Sequence, residues 1–541
     1  MFSFHYQQHK QFFATPGHNL IRFISRFLLV LSLTLAMGHV VHANPEPPGM
    51  YDARNHGMGG AGVAHLSSPA AAQHNPANLD AVTTKQFQAN LSALLVNFTA
   101  SFSGPGNEQE SGWQPVPLPM FGSNRRISER MTFGTAFYVA VGFGGGFENV
   151  EQYGTGQECT ADLSDVFGNN SGSFILTDST KNNDYCPDEG REEFVQLAVM
   201  EIALPISYRV SDKLRVGMSI RFPFGLFEQQ TSQDIIGAFG NNDKPQGTHG
   251  LGMAQVTSEM LGYGSPGILV GVTYDVTSYL SVAATFRSKV TVNFSGDTNL
   301  KLDSNDLIDT LLDELGSFPI GVLSGVVNGI DELDGLVTLN GTDTVNDFAN
   351  RIASDIDSET KWSIPRAIEL GFALQVTPSL LMAFDWRHQY HSKANKELIV
   401  KLNDPLFERL GLAGLGQVLD WRDVYGWSLG FEYNWSPTTQ LRAGYGEANS
   451  ATPAEYTNQF TPPPGLQTAY YLGVGFKREG WQYDVGFSYS LVDNEIEQPF
   501  DEAGNPVPTQ TCQPGQVVKS GCPGFQDITS VFISASGHYR F

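Results

Sequence analysis

From about residue 84 to the C-terminus, segment after segment alternates apolar and polar side chains with period two. That period places successive side chains on opposite faces of a strand, so it commits most of the chain to β structure. In 279–294 the even positions Leu280, Val282, Ala284, Phe286, Val290, Val292 and Phe294 are largely apolar, while Ser281, Thr285, Arg287, Lys289, Thr291 and Asn293 oppose them. The reading is one greasy face and one polar, basic face. Segments 213–224, 481–491 and 530–541 repeat the pattern. A soluble sandwich also alternates. Aromatic residues clustered at segment ends, as in Trp421, Tyr425, Trp427, Tyr433 and Trp435, point instead to the interfacial girdles of a membrane barrel. No run after the N-terminal region is long enough for a membrane-spanning helix, so a membrane form must be a closed barrel.

Fourteen such segments are expected, near 84–102, 113–124, 131–147, 193–210, 213–229, 264–276, 279–297, 361–376, 379–394, 421–435, 439–449, 467–478, 481–493 and 527–541. Even strand number, with short turns alternating with long loops, is the antiparallel outer-membrane pattern. The expected fold class is therefore all-β, a 14-stranded antiparallel transmembrane β-barrel, with 84–541 forming the barrel and its long extracellular loops. The closing strand ends on Phe541, which resembles the sorting signal of bacterial outer-membrane proteins. Within the long insert 298–360, Leu307, Ile308, Leu311, Leu312 and Leu315 recur at helical spacing ahead of the apolar run 318–327. Either a helical plug or an apolar capture groove fits that pattern.

Residues 1–43 read as an export signal: Lys10, Arg22 and Arg26 precede the apolar run 27–38, and Val41-His42-Ala43 offers a small-residue cleavage site. An exported chain makes disulfides the natural reading of Cys159 with Cys186 and of Cys512 with Cys522, each pair within one long loop. Their spacing is not that of a metal site, and neither a metal nor another cofactor is expected. Net charge is −24, so nucleic acid is a poor partner.

The stretch Gly57-Met-Gly-Gly-Ala-Gly62 matches the G-x-G-x-x-G of a dinucleotide-binding turn, and Asp80 follows at a ribose-binding distance. No buried parallel strand precedes it and no βαβ unit follows. Its glycines fit a segment that turns tightly and packs its backbone close to a wall. No G-x-S-x-G or H-E-x-x-H motif occurs, so an enzyme is not expected.

The segments GMGGAGVAHLSSPAAAQHNPANL (57–79), LSVAATFRSKVTVNFSGD (280–297), WSIPRAIELGFALQVTPSLLMAFDWRHQY (362–390) and WRDVYGWSLGFEYNWSPTTQLRAGYGE (421–447) resemble, in that order, the FadL/TodX family. Those are outer-membrane channels for long-chain fatty acids and other hydrophobic compounds. The resemblance implies an N-terminal hatch filling the lumen, here 44–83, with Asn75, Pro76 and Ala77 as its motif. It also implies a side exit at a kinked third strand, for which Gly142, Gly144, Gly145 and Gly146 are the expected residues. The expected localisation is the outer membrane of a Gram-negative bacterium, as a monomer releasing its ligand toward outer-membrane lipid.

A carboxylate head would call for lumen cations. The inward faces supply Arg287, Arg221, Arg215 and Lys289, and the same alternation adds Arg387 and Arg442. Pairing with the lumen acids Asp385, Glu369 and Glu432 is the competing role for all of them. The basic lumen favours a long-chain fatty acid or related hydrophobic small molecule. An aromatic hydrocarbon transporter and a surface receptor or adhesin barrel are the alternatives.

Overall fold

The computed structural model describes residues 51–81, 85–101, 108–150, 161–162, 175–176, 191–234, 253–302, 355–404, 414–457, 460–496 and 524–541. The expected export signal, the four cysteines, the leucine-rich stretch 307–327 and the expected hatch boundary at 44 lie outside these residues.

Fourteen antiparallel strands close into a ring. They are β1 (Lys85–Ser101), β2 (Gln114–Arg126), β3 (Met131–Val150), β4 (Arg191–Arg209), β5 (Leu214–Asp234), β6 (Met253–Gly264 and Gly267–Asp275) and β7 (Leu280–Arg287 and Val290–Leu302). The ring continues through β8 (Ile356–Ile364 and Ala367–Thr377), β9 (Leu380–Gln389 and Glu397–Leu402), β10 (Gly414–Val418 and Val424–Asn434), β11 (Thr439–Asn449), β12 (Leu466–Arg478), β13 (Trp481–Ile496) and β14 (Gly524–Arg540). Closure is made by β14 against β1, from Gln86↔Arg540 to Thr99↔Asp527. Closure gives every strand a neighbour on both sides, which is what allows a sheet to cross hydrocarbon.

Several strands are far longer than a crossing requires: β4 has 19 residues and β5 has 21, against about 10 for a tilted span. The excess lies toward the long loops. Near the short turns the outer face is apolar, with Val282, Phe286, Leu472, Phe487, Ile533 and Phe541 exposed as a lipid-facing surface would have them.

The alternation expected to run unbroken through 279–294 changes sense partway. Up to Phe286 the odd residues Ala283 and Thr285 are buried and the even Val282 and Phe286 exposed, but beyond it the even Val290, Val292 and Phe294 are buried. The same inversion occurs in β6 across Ser265-Pro266 and in β8 across Pro365-Arg366. Proline cannot donate to a ladder, so these residues interrupt neighbouring strands at one level, and the segments beyond bury their other face. Sequence periodicity extends through such a break because the apolar spacing itself is preserved. The upper parts of β6, β9 and β10 were also missed, since Met253–Gly264, Glu397–Leu402 and Gly414–Val418 are detached from the membrane-facing pattern.

Residues 51–81 lie inside the ring. Asp52 caps the short helix α1 (Ala53–His56) by accepting from Asn55 N. A second short helix, α2 (Ala71–His74), leads through Asn75 to a 3-10 turn at Pro76–Ala81. Nearly all of this segment is buried, and it touches β4, β5, β6, β12, β13 and β14.

Candidate functional site

The lumen has two zones, and one strand displays both. Along β1 the inward residues nearest the short turns are Gln86, Gln88, Asn90 and Ser92; beyond them come Leu94, Val96, Phe98 and Ala100, all buried. β2 repeats the sequence in reverse, from buried Val116, Leu118 and Met120 to Gly122 and Asn124. A polar floor thus lies beneath an apolar zone of the lumen, the chamber.

The floor is where 51–81 sits, and it is held by backbone proximity. A Cβ at Gly217 would fall 2.3 Å from Ala77 N, one at Gly430 2.2 Å from Met58 O, one at Gly444 2.4 Å from Gly59 N, and one at Gly473 2.9 Å from Gly57 Cα. A Cβ at Gly122, Gly271 or Gly371 would meet the side chain of Pro69, Asn75 or Val63, and one at Gly486 the Ala53 carbonyl. Wall glycines on eight strands thus form a belt into which the inner segment is set. The GMGGAG stretch supplies the matching surface: Gly57 and Gly59 lie against wall backbone, and Gly59 and Gly60 take φ of 70° and 78°.

Polar contacts fix the register of this fit. Arg54 forms a fork with Glu432, at 2.8 and 2.9 Å, and Arg442 Nε donates to the same carboxylate at 2.7 Å. Arg442 also pairs with Asp484 at 2.8 Å. The Asp385 carboxylate accepts from Gly62 N at 2.6 Å and Val63 N at 2.9 Å. Asn75 accepts from Ala77 N and donates to Val63 O and to Thr273 Oγ1, with Pro76 and Ala77 seated on Gly217. The Asn-Pro-Ala motif is therefore a turn whose side chain ties two parts of the inner segment to β6. His56 bridges Ser534 and Ser488 at 2.7 and 2.8 Å, and burial pushes its imidazole down to about 3.

The expected lumen cations are mostly in ion pairs. Arg221, buried, meets Glu201 at 2.8 Å, and Tyr138 donates to that same Glu201. Arg215 meets Asp275, and Arg387 meets Glu369 with Arg287 beside them. Lys289 is exposed and donates to the Lys393 carbonyl. No cluster of three or more metal-ligating side chains occurs among the described residues.

The chamber is bounded by β1, β2 and β3. Phe98 and Phe147 contact at 6.4 Å between centroids, and Phe460, from the inward-folded connection between β11 and β12, meets Phe147 at 6.2 Å. Beside it the wall changes. β2 pairs with β1 without interruption from Lys85↔Arg125 to Val96↔Gln114, yet with β3 only from Arg126↔Thr132 to Met120↔Tyr138. The β3–β4 register shifts between Val139 and Val141 and again between Phe147 and Val150. These irregularities flank Gly142, Gly144, Gly145 and Gly146, which stay paired with β4. Sequence reading passed over the residues on the other side of this interruption, Pro115, Pro117 and Pro119 of QPVPLPMF, although three prolines at period two in a strand are a visible signal.

A closed fourteen-stranded ring with a seated inner segment and an apolar chamber defines an outer-membrane transport barrel. The model of the outer membrane protein transport protein family (OMPP1/FadL/TodX) matches residues 176–512, and the chain belongs to that family. A FadL homologue of Pseudomonas aeruginosa superposes with a TM-score of 0.62 at 14% identity, covering 91% of this chain and 98% of that one. The toluene transporter TodX of Pseudomonas putida gives 0.58 at 14% identity, covering 93% and 100%. TbuX of Ralstonia pickettii, also a toluene transporter, gives 0.56 at 17% identity, covering 91% and 98%. No protein with a curated description matches in sequence. The chain is an outer-membrane transporter of hydrophobic compounds.

Proposed function

We propose that this barrel takes up long-chain fatty acids or closely related hydrophobic compounds, acting as a monomer. The ligand enters the apolar chamber from the long-loop side and leaves sideways into outer-membrane lipid between β2 and β3. Residues 44–83 act as the hatch that denies a straight aqueous path. One observation carries this reading: the inward face of β1 turns from Gln86, Gln88, Asn90 and Ser92 to Leu94, Val96, Phe98 and Ala100 at the level where the inner segment ends. Each buried methylene of an acyl chain contributes about 0.8 kcal/mol, so the chamber favours capture and the polar floor disfavours passage below it.

Ion pairing of Arg221, Arg215 and Arg387 supports a second reading, in which the ligand is a neutral aromatic hydrocarbon held through its apolar body. TodX and TbuX, whose described substrate is toluene, agree with it. Under the fatty-acid reading, Arg287 is the side chain proposed to meet the carboxylate.

Uptake in reconstituted vesicles tests the mechanism. Val96→Asp sets a charge in mid-chamber and should abolish uptake while the ring still folds; undiminished uptake would overturn the chamber as the path. A disulfide tying the Gly142–Gly146 region to β2 should block transport when oxidised. Native mass spectrometry of the purified barrel, with Arg287→Gln beside it, decides between ligands: a carboxylate lipid lost in the variant means fatty acid, whereas a retained neutral aromatic means hydrocarbon.

A further inference from the structure

In an antiparallel strand, alternate residues turn their N–H and C=O to the same neighbour, and directly opposed pairs are alternately hydrogen-bonded and not. Pro115, Pro117 and Pro119 stand at alternate positions of β2, so the three missing N–H groups all lie on one edge. That edge is not the one facing β1, because the β1–β2 ladder runs unbroken past them through Leu95↔Pro115, Ala93↔Pro117 and Leu91↔Pro119. The ladder survives only if these are the non-bonded pairs, with Val116, Leu118 and Met120 donating to β1. The prolines therefore strip the donors from the edge turned to β3. Pairing with β3 stops at Met120↔Tyr138, the position next to Pro119.

On the opposite side, the shift between Val139 and Val141 inserts one extra residue into β3. The insertion reverses which residues face β2: before it they are odd-numbered, and after it they are Gly142, Gly144 and Gly146. An independent contact agrees, since the Gly146 carbonyl accepts from Gln114 Nε2 at 2.9 Å. The unladdered stretch is thus closed below by Met120↔Tyr138 and above by this single side-chain bond. Between them lie five residues of β2, about 17 Å of strand.

We infer that Pro115, Pro117 and Pro119 form a donor-free rail that sets the place and length of the opening between β2 and β3, and that Gln114 latches its upper end. This rests on the lateral-exit reading above but assigns the opening to the opposite strand from the glycines. A central strand ordinarily excludes proline because each one deletes a ladder bond. Here three deletions on one edge keep the two strands from zipping together.

The test replaces all three prolines by threonine, which restores the donors with a good strand former. Hydrogen exchange of the 139–146 peptide and ligand uptake are then measured on the full barrel in vesicles. The rail predicts that exchange over 139–146 slows by about tenfold or more and that uptake falls by a comparable factor. Gln114→Met should do the reverse at the upper end, speeding exchange around Gly146 without affecting Thr132–Tyr138. Should the triple variant fail to insert, Pro117→Thr alone, in mid-rail, gives the same readout beside Gln114→Met. Unchanged exchange after restoring the donors overturns the rail, whatever uptake does. Slower exchange with full uptake leaves the rail standing and overturns the lateral exit instead.

Discussion

The floor of the barrel and its β2–β3 wall handle backbone in opposite ways. On the floor, wall glycines on eight strands make room for the inner segment, which meets the wall backbone to backbone at Gly217, Gly430, Gly444 and Gly473, and the Asp385 and Glu432 carboxylates are bonded across the fit. Beside the chamber, prolines and glycines face each other and the ladder is absent. Small or donor-free residues thus lock one region and loosen the other. What decides the outcome is whether something fills the space a side chain vacates.

The largest effect should come from refilling the floor. Gly430→Val places its Cβ against Met58 backbone, which has no flexible end to yield, and should cost about 3 kcal/mol or prevent folding. Val116→Leu in the chamber should cost under about 1.5 kcal/mol. Heat-modifiable migration on gels and thermal melts compare the two, and equal tolerance would erase the distinction between the regions.

Glu432→Gln comes next. It leaves Arg54 and Arg442 facing a neutral amide and should destabilise the seat by about 3 kcal/mol, read as faster proteolysis of residues 51–81. Arg54→Met with Glu432→Gln should recover part of that loss. If the double variant is worse than the sum of the singles, the pair is not what holds the register.

Acid should loosen the floor by a smaller amount. His56 is neutral in the fold, with its titration pushed down from the ordinary 6.5 to about 3, so the released state binds the extra proton between those values. Stability from this group is therefore present above pH 6.5 and is lost as pH falls, by about 2 kcal/mol at pH 5. Hydrogen exchange of 51–81 at pH 5 and 7.5, corrected for intrinsic rates, should show it, and His56→Gln should remove it. The β2–β3 stretch should show no such dependence.

Phe460→Ala should produce the smallest structural change and a selective functional one. The ring keeps its ladder, while the chamber loses its contact with Phe147. Uptake of a long ligand should fall several-fold with the melting point within a few degrees of the parent. A large drop in stability would mean that the connection is part of the frame and not of the chamber.

The barrel was legible because alternation is a repeated local signal, and fourteen imperfect instances reinforce each other. The competition between ligand binding and ion pairing at Arg387 and Arg442 was also readable in outline, since Glu369 and Glu432 fall on the same inward faces and do form the pairs. What periodicity could not give is the inversion beyond Arg287. It depends on Ser265-Pro266, Ser288-Lys289 and Pro365-Arg366 lining up across three strands, and alignment is a property of register. The glycine belt was invisible for a similar reason. Gly217, Gly430 and Gly473 look like ordinary strand glycines until the inner segment is placed against them. The proline rail was different: its residues lay in plain view, but their meaning depends on which neighbour each edge faces.

The belt also bears on how the molecule comes to exist. A segment fitted against glycines of eight strands, with its backbone on the wall's at Gly217, Gly430, Gly444 and Gly473, has little clearance to thread into a finished ring. Such a fit favours an order of assembly in which the segment is in place before β14 meets β1, so that the ring is cast around its contents. Barrel and inner segment are then one object in assembly, and neither can be exchanged for a relative's without the other.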